Sequence, residues 1–353
     1  LVILGDIMTS KVLVVEDLRK YYPIRRSLSE VLTFKRGRYV RAVDGVSFYV
    51  NDGEVYCIVG ESGCGKTTTG RLVTKLIEPT GGVIKYRPSS ALARVDDEFV
   101  VGGYIDYRRL PKKYVKLLRR EVQIIFQDPY GSLDPRQTVY SILEEPLIIH
   151  GIGNERKERE ELIFKVLEDV RLSPPEEFIN RYPHMLSGGQ RQRVNIARAL
   201  ILGPKLVVAD EPVSMLDVSV RAEILQLMID LKISKGLTYI FITHDLAVAN
   251  YICDRVAVMY LGKIVEEADV LKLVNEPLHP YTKALISAVP EPNPSNRFRI
   301  REVPIVGEVP SATAVPPGCR FNPRCPYVMD VCRREEPPIK DLGGSHLVAC
   351  WLY

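Results

Sequence analysis

Short runs of β-branched and aromatic residues open the chain. Residues 11–18 (KVLVVEDL) and 46–59 (VSFYVNDGEVYCIV) carry such runs and predict strands, with a basic, irregular loop or insertion over 23–40. The segment 54–77 passes from an apolar strand (VYCIV) through a Gly-rich turn into a helix. Leu72, Val73, Leu76 and Ile77 fall on one face of that helix by their spacing. Residues 81–124 hold two further aromatic-rich strands before QIIF. From 135 to 202 the spacing is mostly helical, broken at Pro174-Pro175 and Pro183. Two apolar strands follow, KLVVAD (205–210) and TYIFIT (238–243), separated by an amphipathic helix over 219–234. A strand, crossover helix and strand in that order imply an α/β fold whose parallel sheet carries its functional loops at the strand C-termini. Residues 255–266 (RVAVMYLGKIVE) predict a hairpin turning at Gly262-Lys263. Beyond about 290 prolines and glycines multiply, which sets a boundary between a main domain, 11–290, and a terminal extension, 291–353.

Composition adds limits. Apolar residues make up 46% and charged residues 26% of 353 residues, as in an ordinary globular chain with a sizeable core. A net charge of +4 is too small, and its signs too well mixed, to argue for a nucleic-acid partner. No stretch approaches the roughly 18 apolar residues of a membrane span. The opening LVILGDIM lacks a basic n-region, so no signal peptide is expected, and Met8 is a candidate initiator. A cytosolic protein that meets the membrane through partners fits these features.

The segment Gly60-Glu-Ser-Gly-Cys-Gly-Lys66-Thr67 fits GxxxxGK[ST] between a strand and a helix. Phosphates need close backbone approach, which Gly60, Gly63 and Gly65 allow. The N–H groups from Ser62 and Cys64 to Thr68, at a positive helix end, then hold the β-phosphate. Lys66 neutralises β/γ oxygens and the Thr67 hydroxyl helps hold Mg²⁺. Some 140 residues on, the strand over 206–209 ends in Asp210-Glu211. An acid at that strand end suits the metal and a second beside it suits activation of water, so Asp210 is assigned to Mg²⁺ and Glu211 to general base.

The stretch Leu186-Ser-Gly-Gly-Gln190, followed by RQRVNIARAL, resembles the signature motif of ABC-type ATPases. Physically, Ser187 is a good N-cap, and Gly188 and Gly189 bare the N–H groups of a second anion-binding helix start. The resemblance implies a RecA-like core, an antiparallel β subdomain and a helical subdomain over about 135–202. It also implies a head-to-tail dimer in which Ser187, Gly188, Gly189 and Gln190 of one subunit cover the ATP held by the phosphate loop of the other. Further positions resemble the same family. Gln127 in FQDPYGSLDPR matches the glutamine that senses Mg²⁺. Asp217 in SMLD matches the D-loop, with Met215 where a small residue is usual. His244 in FITHD matches the switch histidine at the γ-phosphate. Adenine is expected to stack on Tyr22, with Tyr21 next and Tyr39 a weaker option.

A narrower resemblance rests on AVDGVSF (42–48), GESGCGKTTTGR, IFQDPYGSLDPR and PLHPYTKALISAVP (277–290). These are similar to ATPases of oligopeptide and dipeptide importers, and the insertion before AVDGVSF to the second of their usual two ATPases. The likeness implies a non-identical ATPase partner, two membrane permease subunits and an extracytoplasmic solute-binding protein, with the chain on the cytoplasmic face of the membrane.

Cys57, Cys64 and Cys253 are scattered, whereas Cys319-x5-Cys325-x6-Cys332-x17-Cys350 crowd the end of the chain. In a reducing compartment such a cluster suggests metal ligation over disulfides. The segment resembles the terminal extension of the same importers. Lacking tight CxxC pairs, the spacing favours a [4Fe–4S] cluster, with Zn²⁺ the alternative, in a structural role.

The leading function is thus ATP hydrolysis that powers solute import. The competing reading is a soluble ABC ATPase acting on nucleic acid or the ribosome, although the long coiled-coil insertions or tandem cassettes usual there are not visible. A metal-sensing regulator is a third reading, motivated by the cysteines alone.

Overall fold

A computed structural model describes residues 11–24, 38–89, 97–289 and 305–353. Met8, most of the basic 23–40 stretch and the boundary near 290 lie outside the described residues.

The chain begins with β1 (Lys11–Pro23), β2 (Tyr39–Asn51) and β3 (Val55–Val59), then α1 (Lys66–Val73). Next come β4 (Gly81–Tyr86), β5 (Val100–Val101), β6 (Tyr104–Asp106), α2 (Lys112–Glu121) and β7 (Val122–Ile125). A helical stretch follows: α3 (Val139–His150), α4 (Arg156–Asp169), α5 (Glu176–Ile179) and α6 (Gly188–Leu200). After it run β8 (Leu206–Asp210), α7 (Val218–Lys235), β9 (Thr238–Thr243) and α8 (Leu246–Ile252). The remaining elements are β10 (Arg255–Tyr260), β11 (Lys263–Asp269), α9 (Val270–Asn275), α10 (Pro280–Ser287), β12 (Lys340–Asp341) and β13 (Leu347–Val348).

Two sheets result. The smaller is antiparallel in the order β2-β1-β4-β6-β5, and the larger runs β12-β13-β11-β10-β3-β9-β8-β7. Within the larger, β10, β3, β9, β8 and β7 are mutually parallel. The sequences of β3, β8 and β9 are almost wholly apolar and every residue in them is buried, because both faces are covered. In β3, Val55, Cys57 and Val59 enter the core beneath the helices, while Tyr56 and Ile58 enter the core shared with the antiparallel sheet and α1. The same alternation splits Val207 and Ala209 from Leu206 and Val208 in β8. Each valine, leucine or isoleucine among them contributes roughly 1.5–3 kcal/mol of burial.

The structure departs from the sequence reading in places. The helix after the Gly-rich turn stops at Val73; Lys75 takes φ 50° and Leu76 is 43% exposed, so Leu76 and Ile77 do not continue its buried face. The run 46–59 divides at Asp52-Gly53, its first part joining one sheet and its second the other. Helix α2 stands where only strands were expected. It buries Tyr114, Leu118 and Glu121, a narrow stripe hidden among basic residues.

The terminal segment continues the larger sheet, with β13 antiparallel to β11 at Glu266↔Val348. Phe321 is almost fully buried, edge-on to Tyr260 at 5.3 Å and tilted against Tyr281 at 5.5 Å. Two of the scattered cysteines are joined: a disulfide links Cys57 in β3 to Cys253 at the C-cap of α8.

Candidate nucleotide site

Four neighbouring strands, β3, β9, β8 and β7, send their C-terminal ends to one edge of the sheet. Beyond them stand the phosphate loop, His244, Asp210-Glu211 and Gln127. A cavity of about 570 Å³ opens there, lined among others by Ser62, Gly63, Gly65, Lys66, Thr67, Thr68, Gln127, Glu211 and His244.

The loop after β3 requires glycine at two points. Gly65 is the N-cap of α1 at φ 110°, and a Cβ there would sit 2.1 Å from the Ala42 carbonyl oxygen. At Gly60 a Cβ would lie 2.2 Å from the Met259 oxygen. Lys66 is buried and its Nζ donates to the carbonyls of Gly60 (2.7 Å) and Glu61 (3.0 Å). Cys64 is buried too, and burial raises its thiol pKa against the opposing charge of Lys66.

Thr67 Oγ1 donates to Asp210 Oδ1 at 3.0 Å, across 143 residues of sequence. Burial raises the Asp210 pKa; the Thr67 hydrogen bond opposes this and the charge of Glu211 reinforces it. A hydroxyl beside a carboxylate offers the hard oxygen donors that suit Mg²⁺ when phosphates complete its shell. Gln127 is hydrogen-bonded to Glu211, the residue after Asp210.

Glu211 takes φ 46°, a left-handed conformation uncommon for its type, and its N–H donates to Ile242 O at 2.9 Å. Its Oε2 accepts from Gln127 Nε2 at 3.0 Å and lies 3.1 Å from His244 Nδ1. The carboxylate is thus oriented by residues beyond β7 and β9 and faces the cavity. Glu211, Gln127 and His244, proposed separately from sequence, form one cluster.

The signature residues lie elsewhere. Ser187 caps α6: its hydroxyl accepts the Gln190 N–H (3.3 Å), and Gln190 Oε1 accepts the Ser187 N–H (3.0 Å). This reciprocal box stabilises the helix start by about 1 kcal/mol. Gly188 and Gly189 follow as its first residues. Ser187 to Gln190 are absent from the lining of the Lys66 cavity, as is Asp217, the exposed N-cap of α7.

Tyr22, expected to stack on adenine, is not among the residues that line this cavity. It is 38% exposed on β1 and pairs with Val40, which lines the cavity when Tyr22 itself does not. The Tyr21 hydroxyl is engaged by Asp44. Glu61, Ala42, Leu285 and Ala312 complete the lining. The last two escaped the sequence reading because apolar residues in segments remote from the phosphate loop carry no local signal of this contact.

The four terminal cysteines gather near one another. The Cys319 N–H donates to Cys332 O at 2.8 Å. Burial, then the neighbouring cysteines, pushes the Cys319 thiol up to about 12 and raises Cys325 and Cys350 as well. Yet among the described residues no group of three or more His, Cys, Asp or Glu side chains is arranged to hold a metal ion. The expected metal centre is therefore not formed by this arrangement of the thiols.

Comparison with known proteins bears on this geometry. The dipeptide transport ATP-binding protein DppF of Haemophilus influenzae is 46% identical over 335 residues, which span 95% of this chain and 94% of that protein. The chain belongs to the ABC transporter ATP-binding proteins. The ABC transporter family model matches residues 43–214 of this ATPase, and the model for the oligopeptide/dipeptide transporter C-terminal region matches 265–332. The oligopeptide transport ATP-binding protein AppF of Bacillus subtilis is 44% identical, covering 97% of each chain. Among solved structures, the dimeric post-hydrolysis state of the ATP-binding cassette MJ0796, bound to ADP and Pi, aligns at a TM-score of 0.59. It is 28% identical and covers 73% of this chain and 98% of its own. The fold is that of an ABC ATPase, with its α/β core, antiparallel sheet and helical part.

Proposed function

We propose that this ABC ATPase hydrolyses ATP to power the import of peptides or related solutes through membrane permease subunits. The observation that carries the reading is likeness to dipeptide and oligopeptide transport ATP-binding proteins along nearly the whole chain. No described helix is long and apolar enough to cross a membrane, so the path for solute belongs to other subunits. The competing nucleic-acid reading has no support in these relatives.

The site geometry supports a shared reaction centre. Lys66 and the loop N–H groups bind the phosphates. Bound Mg²⁺ neutralises phosphate oxygens; Thr67 and Asp210, with Gln127 nearby, are the residues to hold it. Glu211 Oε2 accepts a proton from water as the water oxygen bonds to the γ-phosphorus and the bond to the ADP oxygen breaks. Gln127 and His244 keep that carboxylate aimed. Ser187 to Gln190, away from this cavity, are left to cover the nucleotide of a second ATPase, and Tyr22, at the rim beside Val40, to meet the base.

The finer assignments follow the same reading. Residues 11–290 form the ATPase domain and 291–353 an importer-type extension. The partner ATPase is non-identical, two permease subunits hold the ATPases at the cytoplasmic face of the membrane, and an extracytoplasmic solute-binding protein completes the assembly on the other side. Four thiols are the donor set of an iron–sulfur cluster or zinc. The cysteine extension takes up [4Fe–4S] in preference to Zn²⁺ once its side chains close on it, and no catalytic step passes through it. Iron and sulfide analysis of anaerobically purified protein tests this; zinc without iron contradicts it.

The function is tested by ATP-dependent uptake of a labelled dipeptide into cells with and without the gene. Loss of uptake on deletion, restored by the wild-type chain and not by Lys66→Ala, is the expected result. Uptake unchanged on deletion would overturn the reading.

A further inference from the structure

The phosphate loop is gripped from the far end of the chain. Arg324 is buried, and its two terminal nitrogens hold both carboxylate oxygens of Glu61: Nη1 to Oε2 at 2.7 Å and Nη2 to Oε1 at 3.0 Å. Its guanidinium lies 5.8 Å from the ring centre of Tyr260 and 5.9 Å from that of Phe321, which fix the plane of the fork. Glu61 is the second residue of the phosphate loop. Its N–H donates to the Tyr281 hydroxyl at 2.9 Å, and its carbonyl accepts from Lys66 Nζ at 3.0 Å. Residues 263 and 220 positions away thus fix side chain and backbone of the residue that itself holds Lys66.

A second hold comes from the same short stretch. Arg320, also buried, donates to the Leu261 carbonyl and to Asp44. The next residue, Gly262, donates its N–H to the Cys64 carbonyl at 2.8 Å and accepts from the Asp44 N–H at 2.9 Å. Beside it, Ala312 accepts from the Arg41 N–H at 3.3 Å and lines the nucleotide cavity. Both arginines lie between Cys319 and Cys325.

We infer that Arg324 is a positioning residue for the phosphate loop, through which the cysteine-bearing terminal segment sets the affinity of the site for ATP. The inference rests on reading Gly60–Thr67 as the phosphate loop. An empty loop must hold its N–H groups convergent before phosphate arrives, and a bidentate arginine with a fixed plane restricts Glu61 at little further cost in entropy. Arg324 does not line the cavity, and Gln127, Glu211 and His244 lie in the loops beyond β7, β8 and β9. Its loss therefore acts on ATP binding more than on the chemical step.

The test is titration of the full chain with ATP, together with steady-state ATPase kinetics, for Arg324→Met, Arg324→Lys, Glu61→Gln and the double variant Glu61→Gln/Arg324→Met. Arg324→Met is expected to raise the Kd and KM for ATP about tenfold while kcat changes less than about twofold. Arg324→Lys, which keeps the charge and one hydrogen bond, recovers part of that loss. Glu61→Gln is expected to weaken binding as well, and the double variant to be no weaker than Arg324→Met alone. If the double variant regains wild-type affinity, the arginine merely neutralises Glu61 and the inference falls. It falls equally if Arg324→Met binds ATP as wild type does, or if kcat drops with KM unchanged. Should Arg324→Met not fold, Arg324→Lys and Glu61→Gln carry the test, and normal ATP affinity in both overturns it. Lys66→Ala is run alongside. Lost binding in Lys66→Ala with normal binding in Arg324→Met removes only the inference, whereas normal binding in Lys66→Ala removes the phosphate-loop reading itself.

Discussion

Gln127 Nε2 donates a hydrogen bond to Glu211 Oε2 at 3.0 Å, joining the loops beyond β7 and β8. Glu211 already sits in a left-handed conformation, so its carboxylate is aimed by backbone and partner together. Gln127→Ala is expected to lower kcat roughly tenfold or more through misalignment, with ATP affinity changed less than about threefold. Steady-state kinetics with Mg–ATP check this; a rise in KM alone would contradict it.

Asp210 gives a pH dependence whose sign is fixed. Burial raises its pKa above 3.8, so as pH falls it takes up a proton earlier than an ordinary aspartate and loses its charge for Mg²⁺. Mg²⁺ binding in the presence of ATP should weaken at a pH above that at which a free aspartate titrates. Titration of Mg²⁺ across the acidic range checks this, with Asp210→Asn as the variant that binds weakly throughout. Undiminished binding down to the ordinary aspartate range would contradict the assignment.

His279 predicts acid sensitivity of the fold. It is fully buried at the N-cap of α10, where its Nδ1 accepts the Tyr281 N–H at 3.0 Å. Burial, with Lys283 adding, lowers its pKa to about 3. Between about 6.5 and about 3 the unfolded chain binds a proton that the native histidine refuses, so stability falls as pH falls through this window. His279→Asn, which keeps a capping oxygen, should flatten the loss between these limits. Thermal unfolding followed over pH checks it; identical slopes for variant and wild type would refute it.

The site was largely legible in the sequence because its parts are local motifs at strand ends. Gly60–Thr67, Asp210-Glu211 and His244 each follow an apolar run, and a parallel sheet brings such ends together by construction. What stayed hidden depends on contacts that spacing does not encode. Leu76 fits the α1 periodicity, but the positive φ of Lys75 ends that helix first. That Val40, the cross-strand partner of Tyr22, lines the cavity follows from strand pairing and from no local motif. The grip of Arg324 on Glu61 spans 263 residues and has no local trace at either end. The cysteines show the reverse case: their clustering was legible, but their side chains do not assemble a metal-ready group.

The proposed mechanism makes Glu211, oriented by Gln127 and His244, the base that cleaves ATP at a site closed by a second ATPase. The most direct measurement is single-turnover hydrolysis by Glu211→Gln, with ATP binding and sedimentation on the same sample. The expected result is ATP affinity close to wild type, hydrolysis slower by about a hundredfold or more, and an ATP-dependent dimer that persists. Hydrolysis at the wild-type rate would contradict it.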